Sequence, residues 1–168
     1  VHGGDTYGDS IVITETVEAN IDGLSALAPL HNPTHLEGIR AARNAFPGIP
    51  QVAVFDTAFH QTLAPHAYRF PIPSSLYDSH RIRRYGFHGT SNRFFSERAA
   101  ALLGVESFTG VTCHLGNGSS LAAISLGLSV DTSMGLTPLG GIPMGTRSGD
   151  HDPAVVLYLQ TQLGYTPD

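Results

Sequence analysis

Gly110–Ser125 reads "GVTCHLGNGSSLAAIS": an apolar run, "GVTCHL", a turn signal, "GN" at Gly116 and Asn117, and a second run, "SSLAAIS". Short apolar runs on either side of a Gly-Asn pair predict a strand, a tight turn and a strand. The glycines carry no Cβ, so backbone N–H groups at the turn can converge on an anion, with serine hydroxyls alongside. An ordinary hairpin turn has the same composition, and the turn alone leaves both readings open. Upstream, "YGFHGTSNR" at Tyr85–Arg93 runs into Phe95, Arg98, Leu102 and Leu103, a helical spacing closed by Gly104. A helix feeding a hairpin is the first sign of an α/β chain.

The same alternation continues outward in both directions. Val17, Ile21, Leu24 and Ala28 recur at helical spacing behind Thr14 as N-cap and Glu15 in the first turn, and "HNP" at His31–Pro33 is expected to stop that helix. Leu36, Ile39, Arg43 and Phe46 predict a second helix ended by Pro47 and Gly48. "QVAVF" at Gln51–Phe55 is short, apolar and bounded by turn signals, so it predicts a buried strand ending at Asp56. Pro65–Pro73 reads as an irregular crossover and a candidate boundary between two lobes. Near the end, Asp152 as N-cap, Pro153 at the first helical position and Gly164 beyond the last apolar turn mark a final helix.

The chain has 168 residues, 41% of them hydrophobic, which is enough for one well-packed core and too little for a second complete domain. Its net charge of -5 argues against a nucleic-acid or membrane partner and fits a small polar ligand better. Cys113 is the only cysteine, so a disulfide framework is excluded and the cytoplasm is the expected compartment. No apolar run approaches the length of a membrane span, and the first ten residues resemble no signal peptide. A start at Val1 rather than Met suggests an excised piece.

Several residues can carry chemistry. Arg147 lies between glycines in "MGTRSGD", where its guanidinium can swing onto an oxyanion. Asp56, at a strand end, is either a cap or a carboxylate that holds Mg2+ through water. His88, just before a helix, either carries positive charge toward a transferring phosphoryl group or is a hydrogen-bonded structural histidine. His31, His60 and His114 are open in the same way. The nine histidines show no HExxH spacing, so a zinc hydrolase is unsupported. All nine basic residues are arginine, which removes the Walker A lysine and the strand lysine of protein kinases, and "GNGSS" lacks the third glycine of a dinucleotide fingerprint. Any nucleotide must be held by another phosphate cradle.

Taken together, "VHGG", "LAPLHNP", "VFDTAFHQT", "RRYGFHGTS", "HLGNGSS" and "DTSMGLTPLGGIPMGTRSGDHDP" resemble, in order and spacing, the middle of the acetate kinase family. The resemblance runs through nearly the whole chain. It implies a partial ribonuclease H-like, actin-type ATPase fold spanning parts of two lobes, residues 1–57 ending the first and 58–168 beginning the second. It implies phosphoryl transfer from ATP to acetate with Mg2+, in a homodimer.

Carried onto this sequence, the family's catalytic positions fall on Asp56, His88 and Arg147, with Asp56 holding Mg2+. His31 lines the active site, and a pocket for the acetate methyl falls on Val1, Leu30, Phe87 and Pro138. The phosphate-binding hairpin falls on His114, Gly116, Asn117, Gly118 and Ser119. Two departures put local hydrogen bonding in question: Asn92 stands where the family usually has histidine, and Gly140 where it has glutamate. The family's first phosphate strand, the arginine before "VHGG" and the adenosine loop have no counterpart here, so the resemblance implies a fragment. The rival readings are a propionate kinase and a non-catalytic folded remnant.

Overall fold

The computed structural model describes residues 1–166. Two short strands, β1 (Ile11–Val12) and β2 (Val52–Ala53), pair antiparallel and bracket two helices. In α1 (Glu15–Gly23) the Thr14 hydroxyl accepts the Val17 N–H at 3.3 Å, satisfying one of the unpaired donors of a helix start. The expected single helix to Ala28 tightens at Leu24 into a 3₁₀ turn, Leu24–Ala26, which brings Leu24 against Gly4 and the core. "HNP" does more than stop a helix. It opens α2 (Asn32–Ala45), with Pro33 in the first turn where its missing N–H costs nothing.

Tyr7 stacks on Phe55 at 4.4 Å, and Val17, Ile21, Leu36, Ala53 and Ala58 complete this core. Full burial of a side chain such as Ile21 or Leu36 contributes roughly 1.5–3 kcal/mol. Glu18 joins the two helices through Arg40 and Arg43, at 2.6 and 2.7 Å. The "QVAVF" stretch, of which only Val52–Ala53 is strand, departs from expectation, because Ala53 and Phe55 face the core while Val52 and Val54 are about half exposed. Helices cover only one face of this two-stranded sheet, so its residues alternate instead of being buried throughout.

Past Asp56 the chain turns through a 3₁₀ segment, Ala58–Thr62, that packs on β5 (Leu128–Thr132) and α5 (Gly89–Leu103). His60 makes that junction: Nδ1 lies 2.8 Å from Ser129 Oγ, and Nε2 3.0 Å from the Phe87 carbonyl. The proline-rich crossover contains a single helical turn, α3 (Pro65–Tyr68), and is followed by α4 (Ser74–His80), too short to show an apolar period. Gly104, at φ 66°, closes α5 as its spacing predicts.

β3 (Gly110–Leu115), β4 (Ser119–Ser125) and β5 form an antiparallel meander in that order. The hairpin is as predicted, but its loop is Gly116–Gly118 rather than the Gly-Asn pair, and β5 is an additional strand. Asp152 caps α6 (Pro153–Leu163) by accepting the Ala154 N–H at 2.9 Å. Both sheets among the described residues are antiparallel, so Asp56 does not stand at the edge of a parallel sheet. Its position comes from packing against α5.

Candidate active site

A cleft of about 440 Å³ opens between the "VHGG" segment, the start of α2, the start of α5 and the hairpin loop. Its floor is built by Asp56. The Asp56 carbonyl accepts the Gly89 N–H at 2.8 Å and its carboxylate accepts the His88 N–H at 3.0 Å, so the residue caps α5. Gly89 is required for this approach, since a Cβ there would lie 2.4 Å from the Asp56 carbonyl oxygen. The cap reading of Asp56 is thus correct, and no other hydrogen bond reaches its carboxylate among the described residues. That leaves the second oxygen open to the cleft, where Asp56 is the only carboxylate in the lining among the described residues.

His88 has left-handed backbone at φ 57°, uncommon for a residue with a Cβ and often found where a side chain must be aimed. Its Nδ1 lies 2.9 Å from Ser120 Oγ, and its ring stacks on His114 at 4.0 Å. Burial, then the neighbouring His114, and also Arg147, push its pKa below the ordinary imidazole value, against the pull of Asp56. This shift favours the neutral imidazole, a hydrogen-bonding group, at His88. The permanent cation is Arg147, whose Nη1 donates to the Pro138 carbonyl at 2.8 Å and Nη2 to the Asn117 carbonyl at 3.3 Å. A methyl at Gly118 would lie 2.8 Å from Arg147 Nη2 and 3.1 Å from His88 Nε2. The bare glycine lets both groups reach one point.

Val1, Ala28, Val54, Phe87 and Pro138 form the apolar wall, and His31 lines the mouth. Leu30 does not belong to it. At 83% exposure it points to solvent from the turn before α2, where the backbone aims Ala28 and His31 inward instead. Gly116 and Asn117 lie in the loop and Ser119 opens β4, none of them in the lining, with Ser119 Oγ donating to the Gly116 carbonyl at 3.2 Å. His114 stands behind His88, with Nδ1 2.9 Å from Ser91 Oγ. His60 is structural.

Sequence reasoning missed His2, His35 and Thr90 in the lining. His35 follows His31 by one helical turn, a signal the spacing did carry. His2 is buried, and burial is the largest cause of a pKa below the ordinary imidazole value.

The family model for the acetokinase family matches residues 1–168. The chain belongs to the acetokinase family. It is 60% identical to the acetate kinase of Clavibacter michiganensis subsp. michiganensis over 98% of its own length and 42% of that protein's. Among solved structures it superposes on a propionate kinase from Francisella tularensis subsp. tularensis SCHU S4 with a TM-score of 0.96 and 49% identity, over 99% of this chain and 44% of that one. The Porphyromonas gingivalis acetate kinase gives 0.93 and 47%, over 99% and 42%. The chain thus spans less than half the length of the relatives it matches, and the described residues are a mixed α/β part of their actin-like ATPase fold.

Against the family pattern, Asn92 is fully buried and satisfied. Its Nδ2 donates to the Phe87 carbonyl at 3.4 Å and its Oδ1 accepts the Thr112 hydroxyl at 2.9 Å, so the amide keeps one donor and one acceptor where an imidazole usually stands. At Gly140 a side chain would begin 3.0 Å from Asp150 Oδ1, which already accepts the Gly141 N–H.

Proposed function

We propose that the full-length protein carrying this chain is an acetate kinase, transferring the γ-phosphoryl group of ATP to acetate. The observation that carries this reading is the convergence of Asp56, His88, Gly118 and Arg147 with the apolar wall of Val1, Phe87 and Pro138 on one cleft. The apolar wall receives the methyl group. An acetate oxygen attacks the γ-phosphorus, the bond to the β,γ-bridging oxygen breaks, and ADP leaves with that electron pair, so no proton need move. Catalysis is then mostly positioning and stabilisation of charge on the equatorial oxygens. Arg147 supplies the fixed cation, and His88 an imidazole beside it.

Mg2+ fits this cleft as a guest of the nucleotide. No group of three or more His, Cys, Asp or Glu side chains is placed to hold a metal among the described residues, so Asp56 would hold the ion with phosphate oxygens and water making up the remainder. Bound there, the ion would neutralise phosphate charge. Asp56 meanwhile fixes the start of α5 and with it His88. The hairpin loop Gly116–Gly118 with His114 and Ser119 belongs on the nucleotide side, and we divide the lobes after residue 57. The exposed free thiol of Cys113 supports a cytoplasmic setting, and the family resemblance supports a homodimer. No helix among the described residues is long and apolar enough to cross a membrane.

The Francisella neighbour makes propionate kinase the second reading. Trapping acyl phosphate as its hydroxamate, with ATP, Mg2+ and either acetate or propionate, tests the proposal. A higher kcat/KM for acetate supports it, preference for propionate selects the second reading, and no product from either acid removes both.

A further inference from the structure

The Ser120 side chain is fully buried, and its one hydrogen bond among the described residues is to His88 Nδ1 at 2.9 Å. That bond has a direction. Were the hydroxyl to accept from Nδ1–H, its own proton would be left without an acceptor in a place water does not reach, which folded proteins avoid. The hydroxyl therefore donates, Nδ1 accepts, and the imidazole proton resides on Nε2. Nε2 is the atom that faces the hairpin glycine, beside Arg147 Nη2.

The surroundings hold this arrangement from two sides. Ser120 on β4 lies directly opposite His114 on β3, while Ser91 sits in the first turn of α5, which His88 opens. Ser120 bonds His88, Ser91 bonds His114 at 2.9 Å, and the two rings stack at 4.0 Å. The crossed pair ties the start of α5 to the phosphate hairpin. Turning the His88 ring over would replace Nδ1 by a carbon and break its bond to Ser120.

We infer that Ser120 is a positioning residue: its hydroxyl locks His88 in the Nε2–H tautomer and aims that N–H, alongside Arg147, at the oxygens of the transferring phosphoryl group. This inference rests on the phosphotransferase reading for its purpose, but its tautomer can be measured without substrate. In long-range proton–nitrogen spectra of the full-length protein, labelled with ¹⁵N-histidine and held at about pH 8 so that imidazoles are neutral, His88 should show a protonated Nε2 and a bare Nδ1. The signal is assigned by its loss in His88→Gln. Ser120→Ala should give a mixture of tautomers and lower kcat by roughly tenfold or more, as loss of an orienting partner does. KM for acetate should stay within about twofold, since the acyl wall is untouched. Ser120→Thr, which keeps the hydroxyl, should restore the single tautomer and most of kcat. A wild-type His88 protonated on Nδ1 overturns the inference even if neither variant folds, as does Ser120→Ala with unchanged kcat. Wild-type protein that shows the Nε2–H tautomer but makes no acyl phosphate upholds the geometry and sinks the kinase reading instead.

Discussion

Arg147 is held by two backbone carbonyls from different loops, Pro138 and Asn117, so its position is set by main chain rather than by another charge. A cation without a partnering carboxylate is available to an incoming phosphate. Arg147→Ala should therefore lower kcat by about a hundredfold or more, comparable to removing one oxyanion donor, and lysine should recover little of it because a point charge cannot reproduce the fork. Steady-state kinetics of the full-length protein check this. Asp56→Asn separates the two duties of that residue: the amide oxygen can still accept the His88 N–H, so thermal stability should hold while the Mg2+ concentration for half-maximal rate rises. Unchanged metal dependence would return Asp56 to a cap alone. Burial also lowers the pKa values of His2 and of His60. A folded pKa below the unfolded one means the unfolded chain binds more protons. The stability is whole above about pH 6.5, the unfolded histidine value, and is lost as pH falls through the lower folded values. Melting temperatures taken from pH 7 down to 4 should decline, and a flat profile would show these imidazoles are charged at no cost.

The elements that matter most are the hairpin and the start of α5, and their legibility differed. Gly-Asn between apolar runs announced the hairpin, and Gly104 announced the end of α5, because turn and cap residues act locally. Asp56, His88 and Arg147 were legible as residue types that suit phosphate, but their convergence depends on chain segments far apart in sequence. Leu30 shows the limit of motif reading, since a position beside His31 says nothing about which way its side chain points. Ser120 was invisible for a similar reason: a serine in a strand signals nothing until the strand places it under an imidazole. The hairpin offers its own test in Gly118. A methyl there meets the far end of the Arg147 side chain and the His88 ring, and no backbone atom is among its nearest contacts. Gly118→Ala should therefore leave the melting temperature nearly unchanged while displacing Arg147 and lowering kcat/KM by roughly tenfold or more. Loss of fold would mean that the loop, not the site, needs the glycine.

For the whole molecule, the cleft is lined from both the N-terminal strand–helix part and the hairpin part, yet the chain spans only 42% of the Clavibacter enzyme's length. The 168 residues by themselves should release no acetyl phosphate above a heat-killed control, because transfer needs every phosphate-binding segment in place. On the proposed reading, the choice of acid in the full-length protein should rest on the wall of Val1, Ala28, Val54, Phe87 and Pro138. Val1 is half-buried, touching both this wall and the Phe55 core, so it occupies space that a longer acyl chain would need. One added methylene is discriminated by only about 1–3 kcal/mol in an apolar pocket, so propionate should be a slow substrate at roughly ten- to two-hundredfold lower kcat/KM. Val1→Ala removes the branched methyls and should narrow that gap by improving propionate more than it harms acetate. If Val1 only packs against the core, the same change lowers the melting temperature as a small cavity does and leaves the ratio where it was. Comparing kcat/KM for the two acids before and after the substitution, with melting temperatures alongside, distinguishes a specificity wall from a packing residue.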